Sequence, residues 1–412
     1  MYLWEIQFNH MKKTLWILVA ALAALVSCSG NGNGNKEEEE KTDPAAALAG
    51  KDNLTEEEAA TYSAYLQKEW KAKTKKNLQS VYDDKEIIIG GKKMPLHWSV
   101  YGSQPGDGRS LYISLHGGGG TTPDVNDQQW DNQKRLYKPS EGVYLCPRAI
   151  DNTWDMHFMN GTDAFYEKII ALAESFFNVN PDKVYLMGYS AGGDGVWRLA
   201  PRMADHWAAA SMMAGHPGDV SLVNLRNTPF MIWCGAEDSA YERNLRCQER
   251  IAEMQALHDA DPEGYDFEGH ILEGYGHWME LKDAAAVPWM AARKRNPYPG
   301  RIVWRQEEGL REYFYWIKAP SSEIARGKEV VAELSDNTVT LTKCDYSSLT
   351  LYFNDKMADL DRPVKVVCED KLLFEGILQR KSSTLESTLK SRGDLSFMFP
   401  AEVTVTKYVA TP

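Results

Sequence analysis

The chain has 412 residues, 43% of them hydrophobic and 25% charged, with a formal net charge of −12. That composition is globular, so a wholly disordered or fibrous chain is excluded. The acidic balance argues against a general nucleic-acid binder, which needs a basic face, and a mean hydropathy of −0.46 excludes a polytopic membrane protein. Six cysteines in this length do not make a disulfide scaffold.

The first predicted element is an address. Lys12 and Lys13 precede a short apolar run over 15–26, too short to span a bilayer at roughly 18 to 20 residues. The run ends in Leu25-Val26-Ser27-Cys28 and resembles a bacterial lipobox. The resemblance implies a lipoprotein signal peptide over 1–28, starting at Met11, with Cys28 lipidated and the protein anchored on the extracytoplasmic side of a bacterial membrane. An ordinary cleaved secretory signal is the alternative. Residues 29–53, with the run Glu37-Glu38-Glu39-Glu40, read as a flexible acidic linker, either a plain tether or an export tag.

The spacing over 55–78 predicts one amphipathic helix. From residue 85 the period changes. Short apolar runs at 86–90, 96–101, 111–115, 143–146, 183–187, 208–213 and 230–233 read as strands, with helix-like stretches at 163–177, 191–204 and 240–257 between them. Strand alternating with helix predicts a mostly parallel sheet covered on both faces, with functional loops at the carboxyl ends of the strands. After Asn296-Pro297-Tyr298-Pro299-Gly300 the pattern turns to strand-like runs at 330–334, 338–341, 349–353, 364–367, 372–374 and 403–408, plus one short helix at 383–392. This predicts a small all-β, sandwich-like domain over 300–412 behind an α/β domain over 54–299.

The strongest chemical signal is Gly188-Tyr189-Ser190-Ala191-Gly192 between a predicted strand and a predicted helix. A sharp strand-to-helix turn strains the backbone of its central residue and leaves no room for side chains two positions away, so Ser190 reads as an exposed nucleophile. A serine hydroxyl needs a base, and the base an acid to orient it. Asp238 ends the strand at 230–233, with Glu237 and Glu242 as competing acids. His277 sits in a glycine loop after a further apolar stretch, with His270 and His258 reading as packed or exposed histidines. His116-Gly117-Gly118-Gly119-Gly120 follows a strand. Backbone N–H groups of Gly117, Gly118 and Gly119, with that of Ala191, are the expected oxyanion donors, because glycine lets an oxyanion approach to about 3 Å. The loop after the strand at 143–146 carries Trp154, Asp155 and His157 as expected substrate contacts, along with His216 and Tyr189, while Trp197 reads as core. Cys146 and Cys234 read as buried thiols, Cys344 and Cys368 are a candidate pair, and Cys247 has no evident partner. No metal-ligand motif appears, and neither metal nor organic cofactor is expected.

Taken in order and spacing, HGGGG, GYSAGG, GAED and GYGHW resemble the α/β-hydrolase superfamily. More narrowly they resemble secreted esterases of the poly(3-hydroxybutyrate) depolymerase, feruloyl/acetylxylan esterase and dienelactone hydrolase-like type. The resemblance implies an α/β-hydrolase fold over about 85–295 and a serine carboxylic-ester hydrolase with Ser190, Asp238 and His277 as its triad. It also implies an extracellular ester as substrate, with acyl groups on a polysaccharide preferred. The expected partners are therefore that ester and, through the lipid anchor only, a membrane; nucleic acid is not among them. The long helical cap of lipases is not evident between residues 214 and 228. Two other readings are weighed: a serine peptidase of the prolyl-oligopeptidase type, for which the stretch before the first strand is too short to hold a propeller, and a non-catalytic glycan-binding lipoprotein on a hydrolase scaffold.

Overall fold

The computed structural model describes residues 43–407, so the expected signal peptide, Cys28 and most of the acidic linker lie outside the described residues. Part of the stretch expected to be a flexible linker is structured. Residues 44–48 form a 3-10 turn with Ala45 buried, and Asp52 bridges Lys381. The stretch at 44–53 is thus docked by its backbone onto the C-terminal part of the chain.

Helix α1 (Glu56–Asn77) opens with a complete capping box, in which Thr55 accepts from the Glu58 N–H and Glu58 accepts from the Thr55 N–H. Ala59 and Tyr62 are buried against Leu385, Leu389, Leu395 and Met398, so the first helix packs on the last one. A short helix α2 (Gln79–Asp84) leads into strands β1 (Glu86–Ile89) and β2 (Lys92–Tyr101), joined by the glycine turn that the sequence marks.

The main sheet continues with β3 (Arg109–Leu115), β4 (Gly142–Pro147), β5 (Val179–Tyr189), β6 (Ala209–Met213), β7 (Phe230–Gly235) and β8 (Phe267–Leu272). Its order is β1-β2-β4-β3-β5-β6-β7-β8, antiparallel at β1–β2 and β2–β4 and parallel from β4 through β8. Strands β3 to β7 are almost wholly buried, which is why they read as continuous apolar runs rather than alternating ones. Helices α4 (Asp163–Phe177), α5 (Ala191–Arg202) and α6 (Arg243–Ala260) cover it. Three helices lie where none is expected: the short α2, α3 (Pro123–Gln133), which is mostly polar, and the short α7 (Ala286–Ala291).

Beyond residue 300 two sheets form. One, of four strands, has the order β10 (Tyr313–Phe314), β11 (Ile317–Lys318), β14 (Ser348–Phe353), β17 (Ala401–Thr406), and the other, of five, has the order β16 (Lys371–Gly376), β15 (Val364–Cys368), β13 (Thr338–Cys344), β12 (Glu329–Ser335), β9 (Arg301–Arg305). Strands β12 (Glu329–Ser335), β13 (Thr338–Cys344), β14 (Ser348–Phe353), β15 (Val364–Cys368), β16 (Lys371–Gly376) and β17 (Ala401–Thr406) match the expected runs, as does helix α8 (Ser382–Arg392). Strands β9 (Arg301–Arg305), β10 (Tyr313–Phe314) and β11 (Ile317–Lys318) were not expected. The inner faces share one core, in which Trp304 stacks on Phe314 and Tyr346, so the all-β sandwich is as read. Cys344 and Cys368 are free thiols rather than a disulfide, and Cys146, Cys234 and Cys247 are also free and buried.

Candidate active site

Strand β5, near the centre of the sheet, ends at Tyr189, and α5 begins at Ala191. Ser190 between them has φ 59° and ψ −122°, a conformation that L-residues avoid. It is held by its N–H on the Met213 carbonyl at 2.9 Å and by its carbonyl on the Asp194 N–H at 2.9 Å. A Cβ on Gly188 would lie 2.3 Å from the Gly192 carbonyl, and one on Gly192 would lie 2.1 Å from the Leu115 carbonyl. Both flanking glycines are therefore required by close backbone approach, and the turn lifts the hydroxyl above the carboxyl edge of the sheet.

His277 Nε2 lies 2.9 Å from Ser190 Oγ, and His277 Nδ1 lies 2.8 Å from Asp238 Oδ2. Loops after three different strands, β5, β7 and β8, meet in this row. Glu237 and Glu242 take no part in it. Asp238 is 2% exposed, and its second oxygen, Oδ1, accepts from Arg243 Nη1 at 2.9 Å. Burial alone would raise its pKa. The His277 hydrogen bond and the charges of His277 and Arg243 outweigh that and hold the carboxyl below its usual range. Tyr241 covers the Arg243 guanidinium with its ring at 5.1 Å.

The glycine loop after β3 reaches the same spot. A Cβ on Gly117 would be 3.4 Å from Ser190 Cβ, and one on Gly119 would be 3.4 Å from Ala191 Cβ. Asn126 on α3 clamps this loop. Its Oδ1 accepts from the Gly119 N–H at 3.0 Å, and its Nδ2 donates to the Gly119 carbonyl at 3.0 Å and to Asn152 at 2.9 Å. A Cβ on Gly118, whose φ is +108°, would fall 2.0 Å from Asn126 Oδ1. The expectation that Gly119 donates to an oxyanion is therefore corrected, because its N–H is already engaged by Asn126.

His116 and His157 prop the loop from below. The His116 ring, fully buried, donates through Nδ1 to the Gly117 carbonyl at 2.7 Å and accepts the Ala149 N–H at Nε2 at 3.0 Å. His157 donates through Nε2 to the His116 carbonyl at 2.8 Å, and the two rings meet edge to face at 4.8 Å. Burial pushes His116 well below the usual imidazole range and His157 down to about 4, so both are neutral framework at neutral pH. His157 is 1% exposed and is corrected from a substrate contact to a support.

Tyr189 is also corrected. Its hydroxyl donates to the His277 carbonyl at 2.6 Å and accepts the Met279 N–H at 3.1 Å, which fixes the histidine loop. His216 is half-buried beside the same edge, with its N–H on Asp194 at 2.6 Å and its Nδ1 accepting from Gly218 at 3.0 Å, so that ring nitrogen closes a turn. Trp154, by contrast, is 63% exposed and borders the glycine loop, with its backbone N 3.7 Å from where a Cβ on Gly120 would sit. Asp155 lies half-buried next to it. Trp197 is core, as read. Arg243 and Asn126 carried no motif that would single them out. His116 stood inside the glycine motif without an assigned task.

The sheet order and the strained serine between β5 and α5 give the chain an α/β-hydrolase fold, with the second and third residues of the row delivered after β7 and β8. Among solved structures the chain is similar to a thermostable esterase, with a TM-score of 0.41 and 20% identity over 52% of this chain and 64% of that one. It is also similar to a ferulic acid esterase, with a TM-score of 0.37 and 17% identity over 50% of this chain and 96% of that one. An acetyl xylan esterase from Aspergillus awamori aligns with a TM-score of 0.35 and 13% identity over 48% and 93% of the two chains. The aligned part thus spans less than two thirds of the thermostable esterase's own length. No family model matches the chain, and no curated protein does.

Proposed function

We propose that the protein is a serine esterase that acts on carboxylic esters outside the cytoplasm. The observation that carries this is the continuous hydrogen-bonded row Ser190–His277–Asp238, with a strained serine at one end and a buried carboxylate at the other. Ser190 Oγ attacks the ester carbonyl while His277 Nε2 takes its proton. The resulting oxyanion faces the N–H groups of Gly117, Gly118 and Ala191. His277 returns the proton to the leaving alcohol, Asp238 holds the imidazole tautomer, and water then releases the acyl group from Ser190 by the same exchange. The anchor is a second part of the proposal and rests on the Leu25-Val26-Ser27-Cys28 motif alone: lipidation of Cys28 places the enzyme on the extracytoplasmic side of a bacterial membrane.

The test is hydrolysis of p-nitrophenyl acetate by the wild type and by Ser190→Ala, with a chromogenic peptide alongside. Loss of at least about a thousandfold in kcat for the variant is expected. Equal turnover by both proteins, or wild-type cleavage of the peptide and not the ester, overturns the reading.

A further inference from the structure

Helix α3 carries a polar stripe along one side. Asn126, Gln129 and Gln133 stand three and four residues apart, which puts them on one face of the helix. Asn126 and Gln133 are buried, and both use their amides on the protein itself. Asn126 brackets Gly119, and Gln133 Nε2 donates to Ser114 Oγ on β3 at 2.7 Å. Gln129 lies between them and is half-buried. Among the described residues its side-chain amide has no hydrogen-bond partner.

That amide lies beside the nucleophile. The point that a Cβ on Gly117 would occupy is 3.4 Å from Ser190 Cβ, 3.5 Å from the Tyr189 carbonyl oxygen and 3.6 Å from Gln129 Oε1. Gly117 thus leaves a methyl-sized gap, with Ser190 on one side and the Gln129 amide on another. A half-turn of χ3 exchanges the two ends of an unbonded amide, so Nε2 can stand where Oε1 does. The glycine loop does not need this amide to keep its shape. The Gly117 carbonyl accepts from His116 Nδ1, and both backbone polar groups of Gly119 are bonded to Asn126. What the loop lacks is a free N–H at Gly119.

We infer that Gln129 is a catalytic residue whose side-chain N–H donates to the ester carbonyl oxygen as that oxygen becomes an oxyanion, in the place that the Gly119 N–H cannot fill. The inference rests on the esterase reading of the site. A carboxamide suits the task because it is neutral at every pH at which His277 can act as a base and its dipole is strong. Its hydrogen bond strengthens as negative charge develops, so it lowers the barrier more than it tightens substrate binding. The polar face of α3 then has a reason: one amide orders the glycine loop, one ties the helix to β3, and the middle one meets the substrate.

Gln129→Glu and Gln129→Met keep the length of the side chain and remove its N–H donor. Both are compared with the wild type, as full chains, on p-nitrophenyl acetate and for inhibition by phenylboronic acid, which forms a tetrahedral adduct on the serine. In each variant kcat is expected to fall about a hundredfold while KM changes less than about threefold, and the boronate to inhibit correspondingly more weakly. A kcat within about threefold of the wild type overturns the inference, since an isosteric variant spares a residue that only packs. A rise in KM alone overturns it too, because that assigns the amide to ground-state binding. Labelling of Ser190 by a fluorophosphonate separates the two readings. A wild type that is neither labelled nor active removes the esterase reading and this inference with it. A labelled, active wild type with unaffected variants removes the inference alone.

Discussion

Asp238 carries its charge where water does not reach, and Arg243 is the second group that keeps it ionised. With Oδ2 committed to His277, the guanidinium on Oδ1 fixes the plane of the carboxylate and so the direction in which the imidazole is held. Removing it takes away part of what offsets the burial penalty, so Asp238 takes up a proton at higher pH than before. For Arg243→Gln the expected outcome is a roughly tenfold lower kcat, worth about 1.4 kcal/mol, and an acidic limb of the pH–kcat/KM profile moved to higher pH. Arg243→Lys keeps the charge and restores part of both. A pH profile whose acidic limb is the same in all three proteins would assign Arg243 to packing alone. This residue acts through another, and its place was not legible in the sequence because nothing in a helix-starting arginine five residues past an aspartate marks it. Ser190, Asp238 and His277 were legible because each closes a strand at the same sheet edge, a position that a local pattern reveals.

The glycine loop is held as an element rather than by any one of its residues. Two neutral imidazoles lie beneath it and the Asn126 amide lies beside it, all buried and all directed at backbone atoms. The price of this arrangement is sensitivity to acid. His157 Nδ1 is buried without a hydrogen-bond partner, and the ring accepts a proton there only at about 4, against 6.5 for an exposed imidazole. The unfolded chain therefore binds the extra proton first. This contribution is fully present above about pH 6.5 and is lost as pH falls toward 4, for an order of 3 kcal/mol from this group. His116, lowered in the same direction, adds to it. Urea unfolding between pH 7.5 and 4 is expected to show this slope, and His157→Gln to flatten it; an equal slope in both proteins would place the acid sensitivity elsewhere. The parts of this element differ in how readable they are. Glycines after an apolar strand speak for themselves, whereas α3 has no apolar period to announce it, and the contact from His157 to His116 joins residues 41 positions apart. Strands β9 to β11 escaped for a related reason: each is short and carries charged or aromatic residues on a half-buried face, so local pattern is weak, and pairing of β9 with β12, β11 with β14 and β10 with β11 is what makes them strands.

At the scale of the molecule, the two parts are joined by charges buried where they meet. Asp205, wholly buried at the end of α5, accepts from Arg392 Nη2 at 2.6 Å, from the Tyr315 N–H at 3.3 Å and from His206 Nδ1 at 2.8 Å. Burial acts to raise its pKa, and His206, Arg392 and Arg311 override that to keep it ionised. Arg295, at the last turn of the α/β part, is shared between Asp182 at 2.8 Å and Asp394 at 2.6 Å. Helix α1 reaches across to the same region, where Tyr62 donates to Glu386 at 2.6 Å. A charge removed from such a network leaves its partner buried and unpaired, which costs about 3 to 5 kcal/mol. Calorimetry is expected to show one cooperative transition for the wild type. For Asp205→Ala, with Arg392 left without the carboxylate it donates to, the transition is expected to split into two, the sandwich melting first. A single, unshifted transition in Asp205→Ala would show that apolar packing between α1 and α8, rather than the buried charges, holds the sandwich against the sheet.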